Sequence, residues 1–223
     1  LLTLLLALAL PTLVTSHGFL CDPPSRNAAW LCGYPKVSKF ELRSNFTNYT
    51  KKDEPKNYDQ MALNAGGVHR AYPDYQTGAL CYMVSKFDVA RTLLTLPKGV
   101  CGDSSDAKQK HAAGGVHDRG VRRKYGRGDT IPIQVNVTAF HQGFFDIELC
   151  STYPETETCF RSIQQFSIDG TSPEGGNPTY FFTATLPDNV TCERCVLRWF
   201  WITNNSPGLP PEFFINCADI SIS

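Results

Sequence analysis

Between Thr130 and Cys150 the chain carries two runs in which apolar residues recur at every second position. Ile131, Ile133, Val135, Val137 and Ala139 alternate with Pro132, Gln134, Asn136 and Thr138, the period at which a pleated strand turns its side chains to opposite faces. Phe145, Ile147 and Leu149 alternate with Asp146 and Glu148 directly after Gln142-Gly143, so the two strands meet in a hairpin or corner with His141 at the bend. Further strands are expected at 179–186, 195–203 and 217–222. A partly helical spacing marks only 82–98, read as an inserted element. Short strands separated by turn residues, with little helix, predict an all-β antiparallel sandwich with long loops.

A length of 223 residues suits one core-forming domain. Lys and Arg number 21, as do Asp and Glu, so the balance implies no nucleic-acid partner. The 14 Phe, nine Tyr and three Trp argue against disorder. Residues 1–16 (LLTLLLALALPTLVTS) form an apolar block broken by Pro11 and closed by small residues, the pattern of a secretory signal. Cleavage after Ser16 would leave a domain of 17–223 that begins at His17, is extracellular, and has no membrane contact after processing, since no later run reaches the ~18 apolar residues of a span.

Secretion makes disulfides the expected state of the nine cysteines, with one left over. Cys150 and Cys159 are an expected pair, because a short Thr/Glu/Pro loop follows the end of one strand. Cys192-x-x-Cys195 has no second such pair to complete a zinc site and reads as structural bridging. Five sequons, at Asn45, Asn48, Asn136, Asn189 and Asn204, suit the same export route. Pro23-Pro24 and Trp30 mark 17–35 as an ordered irregular segment, and 45–62 reads as an exposed loop. The run Arg122-Arg123-Lys124 to Arg127 reads as a solvated loop ahead of a strand, with Arg127-Gly128-Asp129 as turn chemistry. The near-repeat Ala65-Gly-Gly-Val-His69 and Ala113-Gly-Gly-Val-His117 is too short for a repeat array.

No GxSxG elbow, phosphate-binding loop, HExxH helix or dinucleotide fingerprint occurs. The distinctive residue is His17. As a mature N-terminus it would offer an α-amine and an imidazole to one ion, and the amine's ordinary pKa of about 7.7–8.0 lets a metal displace its proton. A third nitrogen would complete a set that favours Cu(II).

His17-Gly-Phe-Leu, Pro24-Ser25-Arg26-Asn27, Trp30, Val137-Thr-Ala139-Phe-His141-Gln-Gly-Phe-Phe145, Cys195-Val-Leu-Arg-Trp199 and Phe214-Ile-Asn-Cys217-Ala-Asp219 span the mature chain in order. Together they resemble the lytic polysaccharide monooxygenases of auxiliary activity family 15. The resemblance implies an immunoglobulin-like or fibronectin-like sandwich whose flat surface displays one copper. It implies His17 as bidentate ligand, His141 as second imidazole, Phe214 as the aromatic on one axial side and Ala139 as the small residue on the other. His69, His111 and His117 have no ligand counterpart and read as surface or supporting histidines. Two departures stand out: Ala65 where relatives have Cys, which accounts for the odd cysteine count, and Ala112 where they often have Glu.

The implied activity is oxidative cleavage of a crystalline polysaccharide, most often chitin and alternatively cellulose, by a monomer that takes electrons from an external donor and uses O₂ or H₂O₂. Two rival readings share the fold: a noncatalytic chitin-binding or cuticle-associated protein, and a copper-binding protein without oxidase chemistry.

Overall fold

The computed structural model describes residues 17–32, 100–103, 108–168, 178–203 and 213–223. Its strands are β1 (His17–Asp22), β2 (Arg123–Tyr125), β3 (Thr130–Ala139), β4 (Gly143–Cys150), β5 (Arg161–Ser167), β6 (Thr179–Thr185), β7 (Cys192–Thr203) and β8 (Phe213–Ile222), with one 3-10 turn at Glu157–Cys159. They form two sheets, β1-β3-β6 and β2-β8-β7-β4-β5. All pairings are antiparallel except β2 with β8. No α-helix occurs among the described residues, and none of these residues forms a helix long and apolar enough to cross a membrane.

The alternation in β3 does what the pattern requires. Ile131, Ile133, Val135 and Val137 are buried against Phe145, Ile147, Leu197, Trp199, Trp201, Ala218 and Ile220 of the facing sheet. Each such side chain contributes about 1.5–3 kcal/mol on leaving water, and a register slip of one residue would turn the whole β3 set outward. β7 behaves differently: every residue from Cys195 to Trp201 is buried, because the five-stranded sheet is covered on both faces. Its far face packs Val196 with Cys101, Cys150, Phe160 and Cys217.

The link between β3 and β4 is a corner and not a hairpin. β3 pairs with β1 and β6, β4 with β5 and β7, so residues 140–142 carry the chain from one sheet to the other. Gly143 begins β4 at φ +120, where a Cβ would collide with the Ile202 carbonyl, so this corner demands glycine.

Three expectations need correction. Residues 17–22 are the strand β1 and not an irregular segment; the chain stays extended while β3 offers a ladder and leaves it at Pro23-Pro24. The basic run is not a solvated loop: Arg122 and Arg123 are 1% and 2% exposed, and only Lys124 and Arg127 face water. Arg123 reaches Asp22 at 3.1 Å and Arg122 reaches Asp219 at 3.4 Å, so buried carboxylates draw these guanidinium groups inward. Third, of the surface and supporting places left open for His111 and His117, the surface one falls, since both lie in the interior at 0% and 4% exposure.

Disulfides join Cys21 to Cys32, Cys101 to Cys217, Cys150 to Cys159 and Cys192 to Cys195. The expected Cys150–Cys159 pair is therefore present, and the C-x-x-C segment is bridged within itself. Cys81, the readings on 45–62 and 82–98, the Ala65–His69 copy of the near-repeat, and the sequons at Asn45, Asn48 and Asn204 fall outside the described residues.

Candidate metal centre

The main chain of His17 pairs with Ala139 at the very end of the β1–β3 ladder, and the register shifts by one residue between His17 and Gly18. His141 follows Ala139 by two positions, in the corner, and is 8% exposed. Main-chain pairing thus brings the start of β1 beside the segment that carries His141. Gly18 makes the close approach possible, since a Cβ there would stand 3.2 Å from both the Trp199 ring and the Asn136 carbonyl oxygen. That spacing is tighter than an alanine tolerates without moving an indole packed in the core.

The facing sheet supplies the rest of the frame. The Leu20 amide donates to Asn216 Oδ1 at 2.9 Å, and Asn216 Nδ2 donates to the Ile215 carbonyl at 2.6 Å. Through these bonds Asn216 ties β1 to β8. Phe214, two residues earlier on the same face of β8, is 2% exposed, and its ring centroid lies 5.0 Å from that of Trp201. A Cβ on Gly18 would in turn lie 3.5 Å from Trp201, so the Trp201 indole packs beside both β1 and Phe214. Asn216 and Gly18 were not singled out from sequence. The available signal was a polar Asn inside the otherwise apolar Phe213-Phe214-Ile215-Asn216-Cys217-Ala218, which in a buried strand must find a partner.

The residues so gathered fit a copper ion. Among the described residues, Ala139 adds no donor and little bulk, Phe214 adds no donor, and the groups at this end of the ladder that could ligate are the imidazole of His141 and the nitrogens that a processed His17 would offer. A nitrogen-only set of this kind suits Cu(II) above zinc or the hard cations.

The other face of β8 carries a buried ionic cluster that sequence inspection did not reveal. Arg26 donates to Asp219 through Nε at 2.7 Å and Nη2 at 2.6 Å, and to Glu155 through Nη1 at 2.6 Å. Arg122 and Arg194 also reach Asp219, at 3.4 and 3.1 Å, and Arg194 pairs with Asp118. Burial alone would raise the Asp219 pKa, but the Arg26 hydrogen bonds and the surrounding guanidinium charges outweigh it and hold the carboxyl below its ordinary value. Glu155 also accepts from the Ala113 amide at 2.8 Å, which puts a carboxylate beside the segment where relatives often carry Glu and this chain has Ala112.

Beside this cluster the His111 and His117 rings stack at 4.5 Å, 6° from parallel. His111 Nδ1 lies 2.7 Å from Asp103 Oδ1, and the His111 amide donates to Oδ2 at 2.8 Å. Burial, then repulsion by His111, Lys110 and Arg122 against the attraction of Asp103, pushes the His117 pKa down to about 4. In the unfolded chain this histidine titrates near about 6.5. Between these values the unfolded state binds the extra proton, so stability falls as pH falls through that window. Wild type is expected to lose thermal stability relative to His117→Phe as pH drops from about 6.5 to about 4. Melting curves at stepped pH check this, and parallel curves for the two proteins would refute it.

The model of the family described as "Lytic polysaccharide mono-oxygenase, cellulose-degrading" matches residues 17–220. Among solved structures, the AA15 lytic polysaccharide monooxygenase of Thermobia domestica in the Cu(I) state is similar, with TM-score 0.64 and 27% identity over 92% of this chain and 98% of that one. The AA10A structure of T. fusca (TM-score 0.49, 16% identity, 93% and 100% covered) and the AA10 monooxygenase of Streptomyces lividans (0.47, 12%, 92% and 99%) are more distant. No curated relative matches the chain in sequence.

Proposed function

We propose that this chain, which belongs to the lytic polysaccharide mono-oxygenase family and within it resembles auxiliary activity family 15, is exported, trimmed to His17 and active on crystalline chitin. Its cofactor is copper, and its reaction class is the oxidative cleavage of polysaccharide. The chitin assignment is a reading of the family 15 resemblance, while the wider family model carries cellulose in its description.

The observation that carries the proposed site is the His17–Ala139 register. It supports His17 and His141 as the metal-holding residues. In that reading the His17 amine and imidazole and the His141 imidazole hold the ion. Ala139 would add little bulk and no donor beside the ion, and Phe214 would add an aromatic ring that neither ligates nor hydrogen-bonds. Copper supplies one-electron chemistry that, with an external reductant and O₂ or H₂O₂, oxidises an otherwise inert C–H bond beside a glycosidic oxygen.

The chain's own residues position and exclude. Trp199 and Trp201 form a rigid apolar floor under β1. Asn216 locks β1 in place, and the Gly143 corner sets His141. A rigid frame of this kind is what a site needs to hold a reactive centre against an immobile substrate. Zero net charge suits an uncharged, insoluble polymer, and the monomer is taken as the working unit.

The copper-loaded mature protein is expected to release oxidised chitooligosaccharides from β-chitin with ascorbate, and to release none after chelation. Mass spectrometry of products from chitin and from cellulose checks both halves. Oxidised products from cellulose alone would remove the substrate assignment and leave the copper chemistry. Tight chitin binding with no oxidised product from either polymer would favour the noncatalytic alternative.

A further inference from the structure

The three-stranded sheet has an outer face turned from the core. β3 turns Gln134, Asn136 and Thr138 away from the core, because Ile133, Val135 and Val137 fill it. Asn136-Val137-Thr138 is an acceptor sequence for an N-linked glycan. On the neighbouring β6, Phe181 is 74% exposed, more than any other large apolar side chain among the described residues. It stands directly opposite Gln134, and Thr179 stands opposite Asn136. Phe181 is therefore the diagonal neighbour of Asn136, at a Cα spacing of about 7–8 Å that long side chains bridge.

A single exposed Phe on a sheet is ordinary. One placed a diagonal step from a half-exposed glycan acceptor, on the same outward face, suits a specific occupant: the apolar C–H face of a pyranose laid on the aromatic ring. The hydrogen bond of the Asn136 side chain agrees with this. Gln134 Nε2 donates to Asn136 Oδ1 at 3.1 Å, so it uses the atom that a glycosylated asparagine keeps. The Nδ2 atom is left for the sugar.

We propose that Asn136 carries an N-linked glycan whose first N-acetylglucosamine packs on the ring of Phe181. In the attachment step Asn136 Nδ2 displaces the diphosphate from C1 of a polyprenyl-diphosphate-linked oligosaccharide. A C1–N bond forms, the C1–O bond to the diphosphate breaks, and the amide loses one proton. The modification rests on the export reading, since this donor is met only in the secretory pathway.

The test secretes the chain from insect cells in two forms, one behind its own leader with an initiating Met and one behind a supplied signal cleaved before His17. Peptide-N-glycosidase converts a glycosylated Asn136 to Asp, which peptide mass spectrometry reads directly, with the exposed Asn189 sequon as internal control. Conversion at Asn136 is expected in wild type and its loss in Thr138→Ala, a change at an exposed position. Removing the glycan is expected to lower the Tm of wild type, and to lower that of Phe181→Ala by clearly less.

Secreted protein with an unmodified Asn136 overturns the glycan and leaves export standing. A glycan whose removal lowers the Tm of both proteins equally overturns the contact with Phe181. Failure of the form carrying residues 1–16 counts against that segment as a sufficient signal, and the protein made behind the supplied signal decides the glycan and its contact independently.

Discussion

One extra residue ahead of His17, or the substitution His141→Ala, is expected to weaken Cu(II) binding by ~100-fold or more, beyond the 10–100-fold typical of losing an outer hydrogen-bond partner. The extension turns the His17 amine into an amide, whose nitrogen lone pair is delocalised and no longer binds a metal at neutral pH. His141→Ala removes one of three nitrogens and leaves an N-terminal histidine chelate such as any peptide could offer. A ~100-fold loss is about 2.7 kcal/mol of binding free energy, well within reach of competition titration or calorimetry. Both variants should stay folded, because His141 sits in the corner after the β3 core positions and His17 opens the ladder. Circular dichroism and the melting temperature confirm that independently of copper. His69→Ala and His117→Ala are expected to bind copper as wild type does. If His117→Ala loses copper while His141→Ala retains it, the ligand assignment is wrong.

Asp219→Ala is expected to cost about 3–5 kcal/mol of folding stability, the range for breaking a buried ion pair by removing one partner. The penalty arises because Arg26, fully buried, and Arg122 and Arg194 keep their charge when their shared carboxylate is gone. Glu155 holds Arg26 from one side and Asp118 holds Arg194, and these two carboxylates cannot neutralise three guanidinium groups. For a chain of this size the loss corresponds to a Tm drop of about 6–20 °C, read alongside urea unfolding. Asp219 lies five positions from Phe214 and on the opposite face of β8, so the folded fraction should bind copper normally. The pH dependence has a definite sign. A carboxyl held below its ordinary value stabilises fully above that value, and the benefit fades as pH falls through the lowered pKa. The gap between wild type and Asp219→Ala should therefore be constant near neutrality and narrow only in acid. A loss below ~1 kcal/mol, the scale of an exposed surface pair, would show that the cluster does not behave as buried.

What could be read in advance follows the range of the interactions concerned. The β3 and β4 strands were legible because a period of two is a local property, visible in Ile131 to Ala139 without knowing what they pack against. The Cys150–Cys159 bridge was legible for the same reason, since its loop is short. His17, Ala139, His141 and Phe214 were nameable as a proposed set only through motif resemblance, since nothing in their spacing brings them together.

Burial of charge was misread, and for a physical reason. Arg122 and Arg123 look like a solvated run because a guanidinium is costly to bury alone. The carboxylates that make burial tolerable, Asp22 and Asp219, are remote in sequence, as is Asp219 from Arg26, 193 residues away. For the stacked His111 and His117 the sequence left a surface and a supporting place open, because a histidine's environment depends on segments that its neighbours in sequence do not reveal; burial removes the first.

The β1 strand shows the division most plainly. His17-Gly-Phe-Leu contains the donors that the resemblance implies and the small residue, so that proposed chemistry could be named from the letters alone. Only the folded chain gives that segment a place: the ladder with β3, the Trp199 and Trp201 floor that leaves room for no more than Gly18, and the Asn216 side chain that anchors Leu20 from 196 residues away. Pairing and packing are set by partners distant in sequence, and the strand pattern itself fits any register that keeps its apolar face inward.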